Sequence, residues 1–335
     1  MGYFVLAYGV FSFLLVFFVT PWLIKYLRRI SLVVKDQNKK DKPLVPISGG
    51  LAVLFGVCGG LLLFVFYRTF FVGLDGGGLR PNYQNLMLLF ASMVSLFIIT
   101  LVGFLDDLVI KKSKDYSLGL RQWQKPLLTL VAAVPLMVVR AGSTQMLLPI
   151  IGWIDLGILY PLLIIPIGVV GASNMVNMLA GYNGMESGMG VVYIGMLGVY
   201  AYFNNRSVAA LFAMVVFFAL LAFYLYNKYP AKILPGDSLT YLLGAAIAII
   251  AIIGNIEKAA IIGGIPFYVE FILKVRSKFK AQSYGYYHKG KVKVDYEKIY
   301  SLPHLFARTG RYTEKQIVYF MILIQIVFSS LIWLI

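Results

Sequence analysis

Charged residues are scarce in this chain. They make up 13% of its 335 residues, whereas soluble domains carry about 25%. Hydrophobic residues account for 60% of the sequence. This composition excludes an ordinary soluble domain and predicts an integral membrane protein.

Cysteine and histidine are almost absent. The single cysteine, Cys58, cannot form an intramolecular disulfide, and we expect it to pack as an apolar residue within a hydrophobic segment. The two histidines, His288 and His304, have no second histidine or cysteine at metal-ligand spacing. We therefore predict that both lie on the surface and that neither binds zinc.

Apolar runs of about 20 residues predict helices that span a bilayer. We predict an all-α polytopic membrane protein with one integral-membrane domain over 1–335, whose longest polar stretch is a cytoplasmic loop at 275–316. The predicted transmembrane helices number ten and are approximately 3–24, 47–67, 84–104, 126–139, 156–176, 188–203, 207–226, 239–254, 259–274 and 317–335.

Basic residues are concentrated on one side of this predicted topology. Odd-numbered connections and their flanks hold 25 of the 30 lysines and arginines. The positive-inside rule makes these connections cytoplasmic and puts both termini outside. The first span has no preceding positive charge and reads as a retained helix. The net charge of +16 forms no nucleic-acid module, so we predict no nucleic-acid partner; attraction to an anionic bilayer explains it.

Four polar clusters lie at the ends of the apolar segments, all on the predicted cytoplasmic side. They are Ser48–Gly50, Asp106-Asp107, Asn174 to Glu186, and Gly236–Ser238. Each alone has a structural explanation: a capped helix start, a helix end paired with lysine (Lys111 or Lys112), buried amides between helices, or a helix N-cap. Together they predict a metal–phosphate site and hence a membrane enzyme.

The residue types in these clusters suit that chemistry. Adjacent carboxylates near a helix C-terminus repel each other and oppose the helix dipole, so Asp106 and Asp107 call for a cation. Mg²⁺ usually takes one or two carboxylates plus substrate phosphates. Gly181 would let the backbone approach a ligand closely. Asn183 offers a donor and an acceptor that match a nucleobase edge.

The clusters resemble those of the polyprenyl-phosphate N-acetylhexosamine-1-phosphate transferase family over nearly the whole chain. Gly103-Phe104-x-Asp106-Asp107 looks like the family's Asp-Asp motif. Asn174-x-x-Asn177-Met-Leu-Ala-Gly-Tyr-Asn183-Gly-Met-Glu186 is similar to the form found in the dolichyl-phosphate N-acetylglucosamine-phosphotransferase branch of archaeal and eukaryotic type. Lys35-Asp36-x-Asn38-Lys39, Tyr229-Pro230 and Gly236-Asp237-Ser238 also resemble that branch.

The resemblance implies a reaction in which UDP-N-acetylglucosamine and dolichyl or another polyprenyl phosphate give dolichyl-diphospho-N-acetylglucosamine and UMP. It also implies a cofactor, Mg²⁺ with Mn²⁺ as a possible substitute. The implied residues are Asp106, Asp107 and Lys125 for catalysis, Asn177 and Asp237 for the metal, and Gly181, Asn183 and Leu234 for the nucleotide. Leu234 stands where the human-type enzyme has an aromatic residue, so weaker stacking of uracil is expected.

The ninth loop, which is the polar stretch 275–316, departs from the family pattern. It lacks the His- and Arg-rich motif that recognises the sugar. Sugar and phosphate candidates are instead Glu186, Lys278, Lys280, Gln282 and His288. A different UDP-N-acetylhexosamine therefore remains an alternative substrate. An anion transporter is an alternative of another class, although transporters usually place their polar site near the midplane.

The ninth predicted span contains Gly263-Gly264 and Pro266, so we expect a kink that could open a groove for the prenyl tail. Glu270 in the same span is either functional or paired with a neighbouring lysine. Short loops favour an archaeal protein of the cell membrane over one of the endoplasmic reticulum. A homodimer is possible.

Overall fold

The computed structural model describes residues 2–71, 83–110, 119–121, 123–148 and 152–334. The described part is mostly helical. Its α-helices, in chain order, are α1 Gly2–Arg29, α2 Gly50–Phe70, α3 Tyr83–Ile110, α4 Gln124–Leu130, α5 Val134–Val138, α6 Ile165–Met178, α7 Met185–Phe203, α8 Ser207–Asn227, α9 Gly236–Gly254, α10 Glu257–Gly263, α11 Ile265–Arg276, α12 His304–Ala307 and α13 Glu314–Ser330. Short 3₁₀ turns at Val131–Ala133 and Leu331–Leu334 and a π-helical turn at Tyr160–Ile164 complete the helical structure.

Seven helical segments in the described residues are long and apolar enough to cross a membrane. The described structure therefore supports a polytopic membrane protein, while the total of ten spans and the positions of the termini stay predictions. A shorter apolar helical segment, Gln124–Val138, covers the predicted fourth span. Two helices, α10 and α11, cover the predicted ninth span and meet at Gly264.

Three antiparallel hairpins accompany the helices. They pair β1 Val33–Lys35 with β2 Leu44–Pro46, β3 Gln145–Leu148 with β4 Gly152–Asp155, and β5 Tyr286–His288 with β6 Lys291–Lys293. The all-α prediction did not include them. Strands of three or four residues are too short to leave a clear alternating pattern in the sequence.

Helix α9 forms the centre of the bundle. Of the residues in its apolar window, 94% are buried, and it packs against α2, α3, α6, α7 and α8. Small residues allow this close packing, as they do between helices in membranes. At Gly244, an added Cβ would overlap the backbone of Ala172 and Ser173 in α6.

Glycines also bring α2 and α3 against the first turn of α9. A Cβ at Gly50 would overlap the backbone of Ser238, and one at Gly103 would overlap the backbone of Asp237. The two glycines therefore have a packing role. Because α3 approaches α9 at this point, the carboxylates one turn further along α3 reach the start of α9.

The orientation in the membrane can be tested with introduced cysteines. Lys298 is exposed in the ninth loop, and Ser207 is exposed at the start of α8, on the predicted opposite side. We expect Lys298→Cys, with Cys58 replaced by Ala, to resist an impermeant maleimide in intact cells and to react after lysis. Ser207→Cys in the same background should react in intact cells. The reverse labelling pattern would overturn the predicted orientation.

Candidate active site

The carboxylate of Asp107 caps the N-terminus of α9. Its Oδ1 accepts from the backbone N–H of Asp237 at 2.8 Å, and its Oδ2 accepts from that of Ser238 at 3.3 Å. The Ser48 hydroxyl donates to Oδ2 at 2.7 Å. Asp107 is fully buried. Its contacts satisfy amide groups that a helix start leaves unpaired, and they also connect α2, α3 and α9.

The carboxylate of Asp106 forms an ion pair with Lys125. The Lys125 Nζ lies 2.8 Å from Asp106 Oδ2 and 2.8 Å from Asp237 Oδ2, so one ammonium group joins two carboxylates from α3 and α9. The backbone N–H of Leu120 donates to Asp106 Oδ1 at 2.6 Å. Lys111 and Lys112, the lysines considered as partners of the Asp-Asp pair, lie outside the described residues.

Asn177 completes this charged group from the C-terminal turn of α6. Its Nδ2 donates to Asp237 Oδ2 at 3.3 Å, and its Oδ1 accepts from the Thr240 hydroxyl at 2.8 Å. Asn174, one turn earlier, donates instead to the Val170 carbonyl at 2.8 Å and to the Thr129 hydroxyl at 3.2 Å. Asn174 therefore connects α6 to α4.

A polar cavity, here called the polar pocket, opens beside the Lys125 ammonium. It is lined by Gly119, Leu120, Lys125, Asn174, Asn177, Met178, Ala180, Asp237, Lys274, Phe279, Ala281, Gln282, Ser283 and Tyr284. The ends of α4, α6 and α9 thus face the first part of the ninth loop. Of the predicted site residues, this cavity contains Lys125, Asn177, Asp237 and Gln282.

The donor groups in the polar pocket fit a magnesium ion held partly by a substrate. The described residues contain no group of three or more His, Cys, Asp or Glu side chains placed to hold a metal. Asp237 supplies a carboxylate, and Asn177 can supply its amide oxygen if the amide rotates away from its present hydrogen bonds. Mg²⁺ uses few protein ligands where phosphate oxygens complete its octahedron.

A second cavity, here called the glycine pocket, adjoins the polar pocket at Tyr284. Its lining consists of Lys35, Asp36, Gln37, Gly181, Tyr182, Asn183, Glu186, Leu234, Pro235 and Tyr284. Gly181 has a φ of +138°, which residues with a side chain rarely adopt. Its N–H donates to Glu186 Oε1 at 2.6 Å. The predicted nucleotide residues Gly181, Asn183 and Leu234 therefore share one cavity.

The side-chain amide of Asn183 is engaged within the protein. Its Nδ2 donates to Asp36 Oδ2 at 3.0 Å, and its Oδ1 accepts from the Ala231 N–H at 2.7 Å. Only 3% of the residue is exposed. The amide has a second N–H and a second lone pair on its oxygen, so pairing with a uracil edge stays a prediction. In the structure Asn183 holds the first and seventh loops against the Asn174–Glu186 motif.

An ionic cluster holds the rim of the glycine pocket to the last helix. Lys39 forms an ion pair with Glu314 at the start of α13, and its Nζ lies 3.4 Å from Asp36 Oδ2. Glu314 Oε1 also accepts from the Asn183 N–H at 2.9 Å. These contacts join the first loop and the Asn174–Glu186 motif to the start of α13.

Glu270 anchors the ninth loop. Its Oε2 accepts from the Leu302 N–H at 2.7 Å and its Oε1 from the Ser301 hydroxyl at 2.8 Å. The Lys274 Nζ lies 3.5 Å from Oε1, so the interpretation of Glu270 as a residue paired with a neighbouring lysine agrees with the structure. Lys274 also donates to Ser283 Oγ at 2.7 Å.

His304 is buried, so the prediction that it lies on the surface is wrong. Its ring stacks on Tyr296 with centroids 5.0 Å apart, and its Nε2 donates to the Gln282 carbonyl at 2.9 Å. Burial lowers the pKa of His304 to about 4, which keeps the ring neutral at physiological pH. The loop therefore uses this histidine to place Gln282 in the lining of the polar pocket.

The other candidates of the ninth loop lie away from both cavities. Lys278, Lys280 and His288 are exposed and line neither the polar pocket nor the glycine pocket. His288 ends β5, where it pairs with Lys291 across the hairpin.

Sequence reasoning missed Lys274 and Tyr284 as members of the polar pocket. One signal was present for Lys274, its spacing of four residues from Glu270, which places both on one helix face. No signal was present for Tyr284, because nothing in the local pattern indicates that the loop folds back onto the C-terminus of α6.

A family model described as glycosyl transferase family 4 matches residues 89–255. This range contains Asp106, Lys125, Asn177 and Asp237. Two archaeal relatives extend the similarity over most of the chain. The chain belongs to this family. The resemblance to polyprenyl-phosphate sugar-1-phosphate transferases is thereby confirmed.

The two archaeal relatives are both named as UDP-N-acetylglucosamine–dolichyl-phosphate N-acetylglucosaminephosphotransferases. The protein from Saccharolobus solfataricus is 34% identical over 92% of this chain and 89% of its own length. The protein from Sulfolobus acidocaldarius is 30% identical over 96% of this chain and 92% of its own length. A phospho-N-acetylmuramoyl-pentapeptide-transferase from Lactiplantibacillus plantarum is 33% identical over 79% of this chain and 81% of its own length.

The two adjacent aspartates should respond differently to amide substitution. Asp107→Asn replaces one acceptor oxygen by an NH₂ group, which would face the Asp237 N–H at the Oδ1 position or the Ser238 N–H and the Ser48 hydroxyl at the Oδ2 position. A buried donor without a partner costs about 1–3 kcal/mol. We expect this variant to lower the melting temperature in detergent. Asp106→Asn leaves the cap of α9 intact and should melt closer to the wild type. Equal melting of Asp107→Asn and wild type would contradict the capping role.

Proposed function

We propose that this protein transfers N-acetylglucosamine 1-phosphate from UDP-N-acetylglucosamine to dolichyl or a related polyprenyl phosphate, with release of UMP. Membership of a sugar-phosphate transferase family favours an enzyme over the transporter alternative. The names of the archaeal relatives support the substrates, and their origin supports a location in the cell membrane. The observation that carries the proposal is the Lys125 ammonium, which lies between two carboxylates in the lining of a polar pocket.

In the proposed reaction, an oxygen of the lipid phosphate attacks the β-phosphorus of the nucleotide sugar. The bond from that phosphorus to the bridging oxygen breaks, and UMP leaves with the bond's electrons. Catalysis of this kind depends mainly on positioning and on neutralising charge. Lys125 lines the pocket and would pair with phosphate oxygens, while Asp106 and Asp237 hold its ammonium in place.

A general base is not required. A phosphate monoester has a second pKa of about 6, so the lipid phosphate already carries a nucleophilic oxygen at neutral pH. Asp106 would therefore act by orienting Lys125. Asp107, which is buried under the start of α9, would act by positioning Asp237.

Asn177 and Asp237 would hold the magnesium ion. The bound ion would neutralise the charge of the pyrophosphate and place its oxygens. Both side chains come from helix ends that face the pocket, so the protein fixes their spacing before a nucleotide enters. In the structure the Thr240 hydroxyl donates to Asn177 Oδ1, a hydrogen bond that the amide would give up when its oxygen turns to the metal.

An apolar groove along α6, the helix whose C-terminal end lines the polar pocket, suits the prenyl chain. It has a volume of about 290 Å³ and is lined by residues of α6, α9, α10 and α11, among them Met175, Ile247, Ala260, Gly264 and Phe267. Met175 of α6 lines this groove, while Asn174 and Asn177 of the same helix line the polar pocket. A lipid phosphate at Lys125 could therefore place its tail in this groove, as the interruption between α10 and α11 would allow.

The proposed function is tested by incubating purified protein with Mg²⁺, dolichyl phosphate and a panel of UDP-sugars, with UMP release as the measurement. We expect release with UDP-N-acetylglucosamine that needs the lipid and ends on addition of EDTA. Faster release with another UDP-N-acetylhexosamine would change the sugar assignment. Full activity in EDTA would remove the metal from the mechanism.

Asp237→Ala should lower UMP release by at least about 100-fold, because loss of a residue that binds or supports a metal has costs of this order. The variant should still elute as a monodisperse protein in detergent. Asp295→Ala is the matched control, since Asp295 is an exposed aspartate outside both cavities, and it should retain wild-type activity. Equal activity of Asp237→Ala and wild type would reject the assignment.

A further inference from the structure

Tyr284 lies where the polar pocket meets the glycine pocket. It is half-buried and belongs to the lining of both cavities. The other tyrosine of the glycine pocket, Tyr182, is only 2% exposed. Of the two tyrosines, Tyr284 is therefore the one with surface accessible to a ligand that extends from one cavity to the other.

The residues on either side of Tyr284 are held by hydrogen bonds to the Asn174–Glu186 motif, directly or through Asn38. The Ser283 hydroxyl donates to the Met178 carbonyl at 2.8 Å. The Gly285 N–H donates to Asn38 Oδ1 at 3.1 Å, and Asn38 Nδ2 donates to the Gly181 carbonyl at 2.8 Å. Asn38 is 3% exposed. These buried contacts fix the backbone of Tyr284 beside Gly181.

The ring of Tyr284 packs against the backbone of Gly181. A Cβ at Gly181 would lie 3.0 Å from Tyr284 Cδ1, which is closer than ordinary van der Waals contact. A residue with a side chain would push the ring away. Glycine at this position therefore allows the positive φ angle and also leaves room for the Tyr284 ring.

The glycine pocket also contains a buried acceptor without a partner. Glu186 is 5% exposed, and within the described residues its Oε2 has no hydrogen-bond partner. Its Oε1 is used by the Gly181 N–H. Unpaired buried polar atoms are costly, and a ligand N–H would satisfy this one. Uracil has such an N–H at the edge of its ring.

We propose that Tyr284 is a nucleotide-binding residue whose ring stacks on the pyrimidine base of the UDP-sugar. The base enters the glycine pocket between this ring and Leu234, near Glu186, while the diphosphate reaches Lys125 in the polar pocket. This assignment rests on the proposed function for its nucleotide. In this assignment, Tyr284 supplies the aromatic surface that Leu234 does not provide.

The experiment measures the affinity of UDP for purified protein in the presence of Mg²⁺, with inorganic pyrophosphate as a probe that has no base. Loss of an aromatic side chain that stacks on a base weakens binding by roughly 5- to 150-fold. We expect Tyr284→Ala to weaken UDP binding by about tenfold or more and to leave pyrophosphate binding unchanged. Tyr284→Phe, which keeps the ring, should bind UDP as the wild type does.

A second variant separates stacking from misfolding. Leu234→Phe adds an aromatic ring from the seventh loop and should restore UDP affinity in the Tyr284→Ala background. Unchanged or tighter UDP binding by Tyr284→Ala would overturn the proposal, as would equal losses for UDP and pyrophosphate. A wild-type protein that binds UDP but releases no UMP would overturn the proposed reaction, while a selective loss of UDP binding in Tyr284→Ala would still support the nucleotide site.

Discussion

The capping of α9 by Asp107 is the interaction on which the rest of the site depends. A buried carboxylate at the end of α3 accepts hydrogen bonds from the first amides of α9 and from Ser48. The helix dipole of α9 favours this negative charge, which compensates for its unfavourable place near the end of α3. Because Gly50 and Gly103 let three helices meet here, the backbone of Asp237 is fixed relative to α2 and α3.

Charge pairing then organises the polar pocket around that fixed point. Lys125 joins Asp106 to Asp237, so no carboxylate of this group stands alone in a low-dielectric region. A substrate phosphate or a metal ion can enter by exchanging these contacts for its own. The ion pairs therefore hold the three charged side chains close together before a ligand binds, and the Asn177 amide is the group that would turn when a metal ion enters.

The ninth loop is the part of the site that differs from the family pattern. Glu270 and Lys274 draw the loop onto α11, while Ser283 and Asn38 fasten it to the motif at the end of α6. These contacts are polar and buried, so their loss would leave unpaired groups in the interior. The loop contributes Gln282, Ser283 and Tyr284 to the polar pocket, beside Lys274 of α11, in place of the charged motif that its sequence lacks.

The sequence by itself determined the membrane class, the main helices and the residues around Lys125, Asn177 and Asp237. Hydropathy indicates which segments cross the bilayer, and the distribution of positive charge predicts their orientation. The residue types in the motifs indicate the chemistry of the site. Only the tertiary structure decided that Asp106 and Asp107 do different work, that Asn183 is engaged internally, and that the ninth loop closes over the site. Those facts depend on contacts between segments more than 100 residues apart, and local periodicity contains no record of such contacts.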